Sequence, residues 1–154
     1  MEKILFRGKT PSQDEYLDDG EWVQGFYTCF NGKEHRIYSG YAETDCGDYY
    51  PDWCNIRPET VGQYTGLTDK NGKKIFEGDI VKREYTLHHG ETKTTRETQI
   101  GVVKFNNRGE FIATTVKGRG NWFGIGVVWK GDYIEIIGNI YDNPELLKGA
   151  DDGT

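Results

Sequence analysis

From Ile75 to Tyr141 a turn signal recurs roughly every ten residues, and the runs between turns are rich in β-branched and aromatic side chains. Such side chains pack well on a pleated, half-buried surface and poorly on a helix. The turns are Glu77-Gly78-Asp79, His88-His89-Gly90, Asn106 to Gly109 and Gly118 to Asn121. The runs are Ile75-Phe76, Ile80 to Tyr85, Thr98 to Phe105, Glu110 to Val116, Trp122 to Trp129 and Tyr133 to Ile137. Short strands at this spacing predict a small barrel or sandwich, and a five-stranded SH3-like barrel over residues 75–141 fits best. The chain has 21 Gly and a single Met, a composition that argues against a helical bundle.

The stretch 60–81 feeds this series. Asn71-Gly72 is a strong hairpin signal because both residues tolerate positive φ. In Glu77-Gly78-Asp79 the glycine supplies positive φ and the aspartate hydrogen-bonds its own turn, so the two carboxylates read as turn chemistry rather than an acid–base pair. Thr65-Gly66 is read the same way, and Asn139 after Gly138 marks a bulge.

Upstream, Ile4 to Arg7 is a short β segment and Thr10 to Gly20 a polar loop. Glu21 to Phe30 is a strand. Period-2 geometry puts Trp22, Gln24, Phe26, Thr28 and Phe30 on one face and Val23, Gly25, Tyr27 and Cys29 on the other. Asn31-Gly32 turns the chain into a returning strand, His35 to Tyr38. Residues 40–55, with Tyr41, Tyr49, Tyr50 and Trp53 among Glu43, Asp45, Asp48 and Asp52, read as an irregular, exposed excursion. Ile56-Arg57 reads as a further strand, and Pro58 to Gly62 as one helical turn. Leu87 to Arg96 reads as a mobile hairpin tip. Asn143 before Pro144 predicts a short C-terminal helical turn. The expected organisation is a β-hairpin and acidic aromatic loop region at 1–58, a core with the barrel at 59–147, and a tail at 148–154.

Charge is unevenly distributed. Residues 1–60 hold six Lys/Arg and twelve Asp/Glu, residues 61–130 twelve and seven, and residues 131–154 one and six. A basic middle between acidic ends suits either an anionic partner or neutralisation within the fold or between subunits; the absence of a dense Lys/Arg cluster favours the second. Three cysteines, Cys29, Cys46 and Cys54, without a CxxC pair form neither a disulfide framework nor a structural zinc site. No signal-peptide pattern or apolar run long enough to span a bilayer is present, which points to the cytoplasm and to no membrane partner.

The chain contains no P-loop, GxSxG, HExxH or dinucleotide fingerprint. Gly118 to Gly124 is Gly-rich without the strand–loop–helix context of a phosphate cradle. His88 and His89 point to opposite faces of an extended segment and chelate poorly. Asp45, Asp48 and Asp52 near Glu43 suit acid–base work or a hard cation, but an acid-rich solvated loop explains them more simply. No catalytic residue, cofactor or metal is expected. Tyr41, Tyr49, Tyr50 and Trp53 form a candidate protein-contact surface, since tyrosine offers large area at low entropic cost. Lys73, Lys82, Arg83, Lys104 and Arg119, with Trp122 beside them, form a candidate groove for single-stranded nucleic acid over 73–123. That candidate is the weaker, because Lys82 and Arg83 alternate faces and the whole chain is acidic.

Five segments carry a resemblance: Arg7-Gly8, Trp22 to Tyr27, the long run Arg57 to Val81, Gly101 to Phe105, and Ile137 to Leu147. Together and in this order they resemble the YopX family, encoded by phages and prophages of Gram-positive bacteria. The resemblance spans nearly the whole chain, and its middle motif is the most specific part. It implies a phage-derived protein that self-associates; it implies no established activity and supplies no catalytic residues. The expected function is that of a non-enzymatic binding or assembly module in the host cytoplasm, with a protein partner and self-association. Nucleic-acid binding is the alternative.

Overall fold

The computed structural model describes residues 4–11, 20–126 and 131–150. Most of the expected 10–20 loop, the end of the expected 122–129 strand and the end of the tail lie outside the described residues. The fold is mainly β, and the chain divides into two compact units, Met1–Tyr64 and Thr65–Thr154.

In the first unit β1 (Phe6–Lys9), β2 (Trp22–Phe30), β3 (Glu34–Glu43), β4 (Tyr49–Asn55) and the start of β5 (Gly62–Thr68) form an antiparallel sheet in the order β4-β3-β2-β1-β5. The Asn31-Gly32 turn takes positive φ at both residues, as a tight hairpin requires. The buried side of the sheet is built on Ile37 and Ile56. Gly8 is a close approach: a Cβ there would lie 2.8 Å from Ile56 Cδ1. Residues 56–57 are not a strand. They are an extended connection that plugs this core with Ile56, while the Arg57 N–H donates to the Lys9 carbonyl at 2.8 Å. The predicted helical turn is a 3₁₀ turn at Pro58–Thr60, and buried Thr60 Oγ1 accepts the Lys9 N–H at 2.8 Å.

Residues 40–55 are not irregular. They complete β3, turn through Thr44 to Asp48, and return as β4. A bulge at Ser39 shifts the register, so Tyr38 faces Trp53 and Gly40 faces Asp52. Almost every side chain of β4 is exposed. With neither face buried, no apolar–polar alternation marks the strand in the sequence.

In the second unit β6 (Lys74–Phe76) follows the Asp69–Gly72 turn. β7 (Asp79–His89), β8 (Lys93–Phe105), β9 (Phe111–Lys117), β10 (Trp122–Gly124) and β11 (Tyr133–Asn139) make an antiparallel sheet in the order β10-β9-β8-β7-β11. Val103, Ala113 and Phe123 align across three strands, and with Ile75, Val81, Ile125 and Ile134 they form the core. Each Val, Ile or Phe side chain among them contributes about 2 kcal/mol on burial. Gly101 makes room for the Phe123 ring, whose Cε1 would lie 2.8 Å from an added Cβ.

The expected SH3-like barrel over 75–141 is not closed. Among the described residues β10 and β11 end the sheet without pairing with each other. The outer edge of β11 is already occupied: Lys70 N–H donates to the Ile134 carbonyl at 2.9 Å, and Ile136 N–H donates to Asp69 Oδ2 at 3.1 Å. The expected mobile tip at 87–96 is also corrected, because β7 and β8 stay paired out to His89 and Lys93. Polar residues there sit on an ordered two-stranded ribbon. The bulge near Asn139 is present, as a register shift between Ile136 and Gly138. The C-terminal turn takes the 3₁₀ form, Pro144–Ala150.

Candidate functional site: an aromatic sheet face

Alternation along β2 and β4, with the bulge in β3, gathers most of the first unit's exposed rings on one side of its sheet. Phe26 pairs across the strands with Tyr38, and Tyr38 with Trp53. Without the bulge Tyr41 would point to the opposite side from Tyr38. The extra residue restores it, so Tyr41, with Glu43, shares the face of Tyr38; Tyr49, Pro51 and Trp53 alternate onto that face from β4. Phe26 is 63% exposed, Tyr41 75%, Tyr49 71% and Trp53 40%. Tyr50, also exposed, belongs to the other side by the same alternation.

The face contains one guanidinium of its own. Arg36 Cζ lies 3.9 Å from the Trp53 ring centroid and 5.1 Å from that of Phe30, and its Nη2 bonds Glu34 Oε2 at 2.6 Å. The ring face is the negative end of the aromatic quadrupole, which explains the stacking. Tyr38 and Trp53 are tilted at 6.4 Å between centroids. A depression of about 330 Å³ lined by Thr10, Pro11, Trp53, Cys54 and Asn55 adjoins Trp53. Of the protein-contact candidates, the structure thus brings together Tyr41, Tyr49 and Trp53 and separates Tyr50. Sequence reasoning missed Phe30, Arg36 and Tyr38 as parts of the same surface. The alternation of Trp22, Phe26 and Phe30 was the available signal.

The opposite side of the same hairpin carries a polar chain. Tyr27 Oη and His35 Nδ1 are hydrogen-bonded at 2.7 Å, and Cys29 Sγ lies 4.0 Å from His35 Nε2. Burial, and then the neighbouring Cys29, raise the Tyr27 pKa above the usual phenol value. None of the three cysteines is in a disulfide.

The basic candidates are dispersed and largely matched. Lys82 pairs with Glu84 at 3.4 Å and Glu135 at 3.6 Å, Arg83 with Asp132 at 3.8 Å, and Arg119 with Glu97 at 3.7 Å. Lys73, Lys104 and Trp122 are exposed. The Tyr133 hydroxyl bonds Glu84; that bond raises the Tyr133 pKa and lowers that of Glu84. Glu43, Asp45, Asp48 and Asp52 are exposed, and no group of three or more potential metal ligands occurs among the described residues. His89 Nε2 contacts Thr95 Oγ1 at 2.9 Å across the ribbon. Asp79 Oδ2 accepts the Phe76 N–H at 2.8 Å and Gly78 has φ 90°, so this pair serves its turn. No helix among the described residues is long and apolar enough to cross a membrane.

A family model described as YopX protein matches residues 6–148. A crystal structure of protein EF1440 from Enterococcus faecalis is similar at 22% identity, covering 94% of this chain and 96% of that one, with a TM-score of 0.48. No curated protein matches the chain.

Proposed function

The chain belongs to the YopX family, and from that premise we propose that it is a phage- or prophage-derived accessory protein that binds other protein chains without catalysis. In this reading it works in the cytoplasm of a bacterial host and self-associates. One observation carries the reading: exposed large rings are concentrated on the β2–β4 face, where Phe26, Phe30, Tyr41, Tyr49 and Trp53 stand together. Large exposed apolar patches mark interaction sites, because leaving them in water costs free energy that a partner recovers. Light scattering at micromolar concentration tests self-association. An oligomer that dissociates in Tyr41→Thr/Tyr49→Thr supports assembly through this face; a wild-type monomer removes self-association.

A second reading, single-strand nucleic-acid binding over 73–123, draws on exposed Trp122, Lys73 and Lys104. Retention of a labelled oligonucleotide that falls as salt rises would support it, since phosphate contacts release counterions. Absence of binding at low salt would end it.

A further inference from the structure

Resting on the protein-binding reading of the β2–β4 face, we propose that its occupant is an arginine-rich segment of a partner protein. The chain itself shows what this face accepts. Arg36 stacks on Phe30 and Trp53 while Glu34, two residues away on the same strand, holds its guanidinium at 2.6 Å. Further along the face the same parts recur without a cation. Glu43 faces Tyr49 across the strands and stands two residues from Tyr41, and both rings are more than two-thirds exposed.

Charge selects the occupant. Residues 37–56 contain four carboxylates and no Lys or Arg: Glu43 stands on the ring-bearing face, Asp45 and Asp48 lie in the turn at its end, and Asp52 falls on the side of Tyr50. None of the four forms an ion pair among the described residues, although Asp52 Oδ2 accepts a bond from Ser39 Oγ at 3.3 Å. An acidic, ring-bearing surface whose own guanidinium, Arg36, is already held by Glu34 repels a phosphate backbone and attracts cations. Arginine suits it better than lysine: a planar guanidinium stacks on a ring and bonds a carboxylate through two donors at once. A guanidinium placed between Tyr41 and Tyr49 would meet Glu43 as Arg36 meets Glu34.

The test is fluorescence anisotropy of the full chain with labelled peptides of alternating glycine and arginine, glycine and lysine, or glycine and glutamate, at low and moderate salt. The arginine peptide is expected to bind most tightly, lysine more weakly, and glutamate not at all. Glu43→Gln/Asp45→Asn/Asp48→Asn and Tyr41→Thr/Tyr49→Thr should each weaken the arginine peptide about tenfold at low salt. Circular dichroism of both variants should match wild type, since every substituted side chain is exposed. No preference for arginine over glutamate, or undiminished binding by the carboxylate variant, overturns the proposal. If the tyrosine variant loses self-association while the carboxylate variant binds normally, the protein-binding reading stands and the cationic occupant falls. An oligonucleotide held by wild type and released by the tyrosine variant would assign the face to stacked bases and overturn the proposal.

Discussion

Asp69 Oδ2 accepts the backbone N–H of Ile136 at 3.1 Å across 67 residues of chain. The other oxygen, Oδ1, accepts the N–H groups of Asn71 at 2.9 Å and Lys73 at 3.0 Å, so one carboxylate shapes the turn before β6 and covers the edge of β11. Burial pushes the Asp69 pKa up, but the three N–H donors and nearby Lys73 outweigh it and hold the carboxyl below its usual range.

Asp69→Ala leaves three partly buried N–H groups without this acceptor and should cost about 2–4 kcal/mol in urea unfolding. The pH dependence follows from the lowered pKa. Asp69 contributes its full stabilisation above the carboxylate's unfolded pKa of about 3.9 and loses it as pH falls through the lower folded value. Wild type should therefore lose more stability on acidification over that window than Asp69→Ala. Parallel pH profiles would show that Asp69 does not anchor β11.

Gly25→Ala should destabilise the first unit by about 2–4 kcal/mol. Gly25 sits in β2 where an added Cβ would collide with the Tyr38 carbonyl and press within 3.0 Å of Ile37 Cγ2. Backbone cannot yield as a flexible side chain does, so β2 and β3 must separate. Thermal unfolding of the variant checks this, and an unchanged midpoint would show that the hairpin relaxes without cost.

Phenolate absorbance should show Tyr27 and Tyr133 titrating late. Tyr27 is raised chiefly by burial, and Tyr133 chiefly by its bond to Glu84. In each case the folded protein keeps the proton longer than the unfolded chain. Stability should therefore fall as pH rises past the ordinary tyrosine value of about 10. Tyr27→Phe and Tyr133→Phe should each remove part of the late transition; titration of all ten tyrosines as one class would contradict both assignments.

What the sequence made legible was whatever one residue decides locally. Asn31-Gly32 and Glu77-Gly78-Asp79 depend on φ tolerance and short side-chain bonds, and they form as read; the bulge expected at Asn139 falls at Ile137, while Asn139 Oδ1 accepts the N–H groups of Tyr141 and Asp142 in the next turn. Closure was not legible, because it turned on Asp69 and Lys70 meeting β11, a pairing between distant segments that leaves no periodic trace. The aromatic face was half legible. Alternation in β2 shows in the sequence. The bulge at Ser39 that returns Tyr41 to the face of Tyr38 is invisible until the register of β3 against β4 is known.

The same register leads to a last prediction, on the outer edge of β4, which pairs with no strand among the described residues. Ile56 N–H donates to the His35 carbonyl and Thr44 N–H to the Asp48 carbonyl, so 35/56 and 44/48 are the bonded pairs at the two ends of the ladder. Alternation inward from each end makes 37/54 and 42/50 bonded, and turns the main-chain groups of Tyr49, Pro51 and Trp53 away from β3. Proline therefore occupies a position where its missing N–H breaks no bond within the sheet and removes one donor from the edge. This blunts strand-to-strand pairing while the ring-bearing face stays open, so association is directed to the face. Pro51→Thr restores the outward donor with a strand-favouring residue. It should add higher-mass species in light scattering that persist when Tyr41→Thr/Tyr49→Thr is introduced into the same chain. If mass is unchanged, Pro51 does not guard the edge; if the new species vanish with the tyrosines, they form through the face.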